Sequence, residues 1–434
     1  MKIGIRRITI FLLTFCVLLA GLTGCTDLLP SESITPDPET PSVTASTTPE
    51  PTASPTPDLR SQAVIMATGD IILHETVING GLKEDGGYDY GHIFEFVKEI
   101  FAQADLVSVN YEGTTAGAPY SGYPRFNAPD QIAEAILDAG ADLVTTANNH
   151  SYDKGFEGVR RTAEVFRQAG LLVTGTRSDP ADPVYEIVDL NGIKVGFTGY
   201  TYETPGTETT RTINGMTVTE ETWPLIDSFN YYRASRLEDD KIAMRDRIAK
   251  MRQDGAELIV FNMHWGEEYK TVSNDKQRSL ARYLAECGVD VIFGHHPHVL
   301  QEIEVIGPQD GGRSTVVFYS LGNIMGNMTF GTHDTKGYAE DAVIAKIVII
   351  RDGEGNVSVT EGRYLKTYIW KDDRSGRRIH KILPVSAAMA DPGSFGADSY
   401  VEGLVKASDV RIDNVLAASD KTEGSVLIGE FGSE

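Results

Sequence analysis

Cysteine is scarce: Cys16, Cys25 and Cys287 are the whole supply in 434 residues. Three thiols cannot staple a disulfide scaffold. Positive charge is short as well. Lys and Arg number 39 against 62 Asp and Glu, for a net charge of −23. Such a polyanion lacks the basic surface that neutralises nucleic-acid phosphates, so nucleic acid is excluded as a partner. No internal repeat is visible. What is present suffices for a large core: 41% of residues are apolar and 9% aromatic, which excludes disorder of the whole chain.

Composition divides the chain. Lys2, Arg6 and Arg7 precede an apolar run over 8–20, and small residues follow. Basic, apolar, small is the order of a secretory signal, here residues 1–24. Leu22-Thr23-Gly24-Cys25 resembles a bacterial lipobox, which makes Cys25 the site of lipidation and the new N-terminus. The alternative is an uncleaved membrane anchor, for which the apolar run is slightly short. Both readings put the rest of the chain outside the cytoplasm, held at the cell membrane. Removing the signal takes three cations and no acid, so the charge moves from −23 to −26. Residues 26–60 hold eight Pro, eight Thr and five Ser and few large apolar groups. This stretch cannot offset its own ordering entropy and reads, with Cys25, as a tether over 25–60. Its semi-extended reach is at most on the order of 100 Å.

From residue 61 apolar runs alternate with helical spacings, which predicts an α/β domain of mixed sheets over 61–370. Helices are expected over 129–139, 155–169, 237–253 and 276–286, and an Asn191-Gly192 turn predicts a hairpin. The stretch 201–230 reads as a long loop, and 371–434 as a polar, loop-rich, partly flexible extension. Cys287 reads as a small core residue.

Six polar motifs stand at strand ends, where α/β folds gather functional groups. They supply Asp70, Asn110, Glu112, Asn149, His150, His264, His296 and His298. Singly, each has a plainer reading: a turn or cap for Asp70, Asx-turns for Asn148 and Asn149, a solvated charge for Glu112, a satisfied core imidazole for His264. Jointly, they form a mixed nitrogen and oxygen donor set suited to divalent Mn, Zn or Fe. His296 and His298, two apart in an extended segment, are expected to converge on one ion. His295 is left open, and His74, His333 and His380 are read as surface residues.

Gly69-Asp70-Ile71-Ile72-Leu73, Asn110-Tyr111-Glu112, Ala147-Asn148-Asn149-His150 with Asp153, His264-Trp265-Gly266-Glu267-Glu268, Gly294-His295-His296-Pro297-His298-Val299 and Ser320-Leu321-Gly322-Asn323 occur in that order. Over about 63–325 the chain resembles the poly-gamma-glutamate capsule-synthesis (CapA) family, which is similar to calcineurin-like metallophosphoesterases. The resemblance implies a central β-sandwich flanked by helices, with a centre for one or two metal ions. It implies Asp70, Glu112, Asn149, His264, His296 and His298 as metal ligands, with Glu112 bridging. His150, paired with Asn149, would be the catalytic general acid. Asn110, Trp265, Glu268 and Asn323 are the expected substrate contacts. Departures from the phosphoesterase pattern are Ile72 where a histidine is usual, Glu112 for an aspartate, and an additional histidine in the last motif. The implied partners are an anionic surface polymer or its precursor and membrane-embedded synthase or export components. The implied role is metal-dependent hydrolysis or transfer in making that polymer. A non-catalytic polymer-binding accessory and a small-substrate phosphatase are the alternatives.

Overall fold

A computed structural model describes residues 61–308, 313–329, 331–419, 422–423 and 426–431. The expected signal, the lipobox cysteine Cys25 and the tether lie outside the described residues. Among the described residues no helix is long and apolar enough to cross a membrane.

The Ser61–Ile71 strand lies in the middle of the first sheet. Leu106–Tyr111, Leu143–Thr145 and Leu172–Thr174 follow it on one side, all parallel. On the other side Asp341–Arg351 and then Val357–Asp372 run antiparallel. The second sheet aligns Ser228–Phe229, Ile193–Tyr202, Leu258–His264, Val291–His295 and Thr315–Phe318 in parallel, with antiparallel Ile303–Ile306 at its edge. Alternation along each strand decides the packing. Ala63, Ile65 and Ala67 of the first sheet meet Phe197, Val260, Phe293 and Phe318 of the second in a shared core. The opposite faces bury Val107, Val109 and Val144 under Gln131–Asp138 and Gly155–Ala169, and Ile259, Phe261 and Ile292 under Ala234–Gln253 and Asp275–Glu286. The result is the expected β-sandwich of mixed sheets flanked by helices.

The helices start and stop where local chemistry directs. Gly155–Ala169 ends at Gly170, whose φ of 111° only glycine adopts freely. Asp275–Glu286 opens on a capping box, in which Asn274 Oδ1 accepts from the Gln277 N–H and Gln277 Oε1 accepts from the Asn274 N–H. The Asn191-Gly192 hairpin is present between Glu186–Leu190 and Ile193–Tyr202. Cys287 follows the Asp275–Glu286 helix and is half-buried beside the core.

Two stretches differ from expectation. The supposed loop over 201–230 contains a small antiparallel sheet of Thr204–Thr207, Thr210–Ile213 and Met216–Val218. Its threonines are β-branched and favour strands, and Asn214-Gly215, both at positive φ, form its turn. The supposed loop-rich end is structured too. Ile379–Pro384 pairs with Val357–Asp372, which itself runs through the expected boundary at 370. The Ser399–Leu416 helix buries Val401, Val405 and Ile412 in the inter-sheet core. Arg411 pairs with Asp341, and Lys366 with Asp409, pinning helix to sheet.

The sandwich brings the carboxyl ends of both sets of parallel strands to one edge. Asp70 stands opposite Asn110 and Asn323 in register, and His264 opposite His295. Two glycines allow the close approach. A Cβ at Gly69 would lie 2.0 Å from the Gly322 carbonyl oxygen, and one at Gly294 2.0 Å from that of Tyr319. Gly294→Ala is therefore expected to lower the unfolding free energy by about 1–3 kcal/mol or more. Gly353→Ala, where a Cβ meets nothing within 4 Å, should stay within about 0.5 kcal/mol of wild type. Urea denaturation checks both; coincident midpoints for the two variants would contradict the close-approach argument.

Candidate metal centre

Asp70 ends the first strand and is fully buried. Asn110 Nδ2–H donates to its Oδ1 at 2.7 Å, and the His296 backbone N–H to its Oδ2 at 3.1 Å. His295 Nδ1 lies 3.2 Å from Oδ1 and His298 Nδ1 3.3 Å from Oδ2. Burial works against this carboxylate, but the two imidazoles outweigh it and hold its pKa well below the usual range. Asn110, expected as a substrate contact, is fully buried, does not line the cavity that opens over the site, and positions Asp70.

Glu112 follows the Leu106–Tyr111 strand and is 1% exposed, yet neither of its oxygens has a hydrogen-bond partner. Three imidazoles turn their Nε2 atoms toward its Oε1: His298 at 3.7 Å, His264 at 3.8 Å and His150 at 4.0 Å. Each is beyond hydrogen-bond range. Burial pushes the Glu112 carboxyl well above its ordinary pKa, against the pull of His298. His298 itself loses to burial but gains more from Glu112 and Asp70, and is raised to about 9. Burial and the neighbouring His298 push His296 down to about 3. Burial, then His296, likewise lowers His264 well below the imidazole range.

His296 and His298 converge, with ring centroids 5.8 Å apart. The route differs from the extended segment expected. Both have positive φ, 94° and 58°, so a left-handed turn around Pro297 aims the rings. Non-glycine residues there store strain of about 1–3 kcal/mol each. The turn is held by Tyr269 N–H donating to the Pro297 carbonyl at 2.7 Å. Asn323 holds it as well: its Nδ2–H donates to the carbonyls of His298 and Ala339, and its Oδ1 lies 3.1 Å from His298 Nδ1. Asn323, expected as a substrate contact, is fully buried and fixes His298. Trp265, another expected contact, points the other way. It is wholly buried between the second sheet and its helices, and its Nε1–H donates to the Tyr319 carbonyl.

Asn149 Oδ1 lies 2.8 Å from His264 Nε2. His150 Nδ1 lies 2.8 Å from Asp153 Oδ2, which fixes the ring with Nε2 toward Glu112. A cavity of about 510 Å³ opens over these groups and is lined by Glu112, Asn149, His150, Glu268 and His298 among others. Glu268 is exposed at this cavity, within reach of His296 and His298. The Asn214 turn of the small sheet also reaches it, 3.5 Å from His150 Nδ1.

Two histidines taken for surface residues lie inside the fold. His74 is half-buried, lines the cavity, and accepts from the Asn327 N–H at 3.1 Å. His380 is buried, with Nε2 2.9 Å from Asn327 Oδ1. Burial lowers their pKa values to about 4 and about 3. His333 is exposed as expected and stacks on Tyr269 at the cavity. His295, left open, faces Asp70.

The donor set fits a divalent cation. Glu112 with His264 and His296, Glu268 with His296 and His298, and Asp70 with Glu112 and His298 each place ligand atoms within 4.8 Å of one another. Both Glu112 oxygens, His264 Nδ1 and His296 Nδ1 are buried without hydrogen bonds. Buried polar groups are ordinarily paired, and unpaired carboxylate oxygens ringed by imidazoles match the ligand types of Zn, Mn or Fe.

Comparison with known proteins finds relatives among capsule biosynthesis proteins. Capsule biosynthesis protein CapA of Bacillus anthracis is 29% identical over 250 residues, which cover 55% of this chain and 54% of that protein. The chain thus spans about half the length of that relative. PGA biosynthesis protein CapA of Bacillus subtilis is 28% identical over 303 residues, covering 67% of this chain and 69% of that protein. Among solved structures, the NAD nucleotidase NadN of Haemophilus influenzae is similar over 84% of this chain and 65% of its own, with 13% identity and a TM-score of 0.43. The family model described as bacterial capsule synthesis protein PGA_cap matches residues 64–328, more than half of the chain. By that match, the chain belongs to the PGA_cap family of bacterial capsule synthesis proteins.

Proposed function

We propose that this protein acts outside the cytoplasm, anchored to the cell membrane through lipid on Cys25, as a metal-dependent hydrolase or transferase in the synthesis or export of an anionic capsule polymer. The observation that carries the reading is Glu112, a buried carboxylate with no donor on either oxygen and three imidazole nitrogens around one of them. Asp70, Glu112, Asn149, His264, His296 and His298 would hold one or two divalent ions. Such an ion, when bound, supplies Lewis acidity toward an electrophilic phosphorus or carbonyl carbon. The candidate bonds are a phosphoester or a γ-glutamyl amide of the polymer or its precursor.

The chain's own groups support the chemistry. His150, with Nδ1 fixed on Asp153, presents Nε2 on the cavity side and is suited to hand a proton to a leaving group. Asn149 and His264, in mutual contact, orient one another. Glu268 is the one of the four expected substrate contacts that lines the cavity. Residues 25–60 would carry this head away from the membrane, toward membrane-embedded synthase or export components.

Three expected outcomes follow. His264→Ala and His296→Ala should lose bound metal, read by elemental analysis, and should fail to restore capsule to a deletion strain. Retained metal together with full complementation would falsify the proposal. Glu112→Gln should leave the metal-stripped fold as stable as wild type, since it removes an unpaired buried charge. It should lose the stabilisation that excess Mn or Zn gives wild type, about 2.7 kcal/mol at a hundred times Kd; thermal melts with and without metal decide this. Cys25→Ala should release the protein from the membrane fraction or leave the signal uncut. Unchanged processing and retention would contradict the lipid anchor.

A further inference from the structure

Arg125 differs from most arginines of this chain. Arg160, Arg161, Arg233 and Arg374 all engage carboxylates. Arg125 is exposed at the cavity, and its guanidinium has no ion pair or hydrogen bond among the described residues. Leaving such a group free is informative in a chain with 62 acids and 39 bases.

Its position is built, not incidental. Arg125 sits at the tip of a loop whose base is closed by Asn127. The Asn127 side chain accepts from the Ala116 N–H and donates to the carbonyls of Gly117 and Pro119. Ser121 Oγ–H donates to the Arg125 carbonyl at 2.6 Å. The next residue, Phe126, donates its N–H to Asp153 Oδ2 at 2.6 Å, the same oxygen that fixes His150. The Phe126 ring stands edge-on to His150 at 4.6 Å. Tyr123, 78% exposed, lines the same cavity. The loop therefore presents a free guanidinium at a fixed place relative to His150, beside an exposed Tyr123 ring that meets the Phe126 ring edge-on at 6.3 Å.

Besides its histidines, of which His298 favours the charged form, the cavity's other charged residues are acidic: Glu112, Asp153 and Glu268. A polyanionic substrate is repelled by such an entrance at long range. Local capture needs a cation with free donors, and the planar fork of arginine matches a carboxylate or a phosphate with two hydrogen bonds.

We infer that Arg125 is a specificity-determining residue that grips an anionic group of the substrate, a carboxylate or a phosphate, at the cavity rim, with Tyr123 covering the adjoining carbon chain. This rests on the proposed reading of the cavity as the substrate site.

The test is equilibrium binding to the purified full chain, read by fluorescence anisotropy. The probes are dye-labelled poly-γ-glutamate oligomers, inorganic polyphosphate and neutral dextran. Wild type should bind an anionic probe, more weakly as salt rises, and should not bind dextran; the preferred anion tells carboxylate from phosphate. Arg125→Ala should weaken that binding by about tenfold. Arg125→Lys should restore part of it, and Arg245→Ala, on the exposed side of the Ala234–Gln253 helix, should leave it unchanged. Matching melting temperatures certify the fold of each variant. Equal affinity of Arg125→Ala and wild type, or no binding of either anionic probe by wild type, overturns the inference. The two failures are separable. A His264→Ala protein that keeps metal and restores capsule overturns the proposed function even where Arg125 governs binding; intact metal dependence with Arg125-independent binding overturns only the inference.

Discussion

A buried carboxylate without a donor is among the costlier things a fold can contain, and Glu112 is such a group. Its surroundings are organised around that cost. His298, His264 and His150 direct nitrogens to it without touching it. Asn323 and Asp153 fix His298 and His150 from behind, through Nδ1, while Asn149 holds His264 at the same Nε2 that faces Glu112. Groups held apart at 3.7–4.0 Å, each separately anchored, cannot relax together into direct hydrogen bonds. The arrangement is one that an added positive charge would stabilise.

The sandwich makes the arrangement possible. Two sheets packed face to face deliver Asp70, Glu112 and His150 from one sheet and His264, His296 and His298 from the other to one edge. Neither sheet alone contains the set. Close backbone approach at Gly69 and Gly294 lets the connecting segments nest over the strand ends. The left-handed turn at His296 and His298 is tolerated because Tyr269 and Asn323 hold its carbonyls.

Much of this was legible in the chain itself. Short apolar runs ending in Gly-Asp, Asn-Asn-His or Gly-His-His mark strand ends, and their common edge follows from the fold class. Spacing identified which loops meet; it did not give the direction of each side chain. Trp265 adjoins His264, but neighbours on a strand point to opposite faces, so one reaches the site and the other the core. Asn110 and Asn323 look like polar contacts because buried amides that brace a ligand have the same composition as amides that face a substrate. His380 had no motif, since its partner Asn327 is distant in sequence. The Ser399–Leu416 helix was missed because Val401, Val405 and Ile412 are diluted by glycine, aspartate and serine. Arg125 was invisible for another reason: what singles it out is a guanidinium without a partner among the described residues, a property of the folded surface.

The C-terminal strands have a consequence for how the protein can be divided. The family match stops at residue 328. The two long strands Asp341–Arg351 and Val357–Asp372 come afterwards, yet the first pairs with Ser61–Ile71, the second pairs with the first, and together they contribute Val343, Ile347 and Val359 to the inter-sheet core. A fragment cut at the recognisable boundary would carry every metal-ligand candidate and still leave Ser61–Ile71 as a bare, apolar sheet edge, the kind of surface that pairs with other chains. The segment that identifies the protein is shorter than the segment that completes its first sheet, and the strands that make the difference lie beyond every metal-ligand candidate.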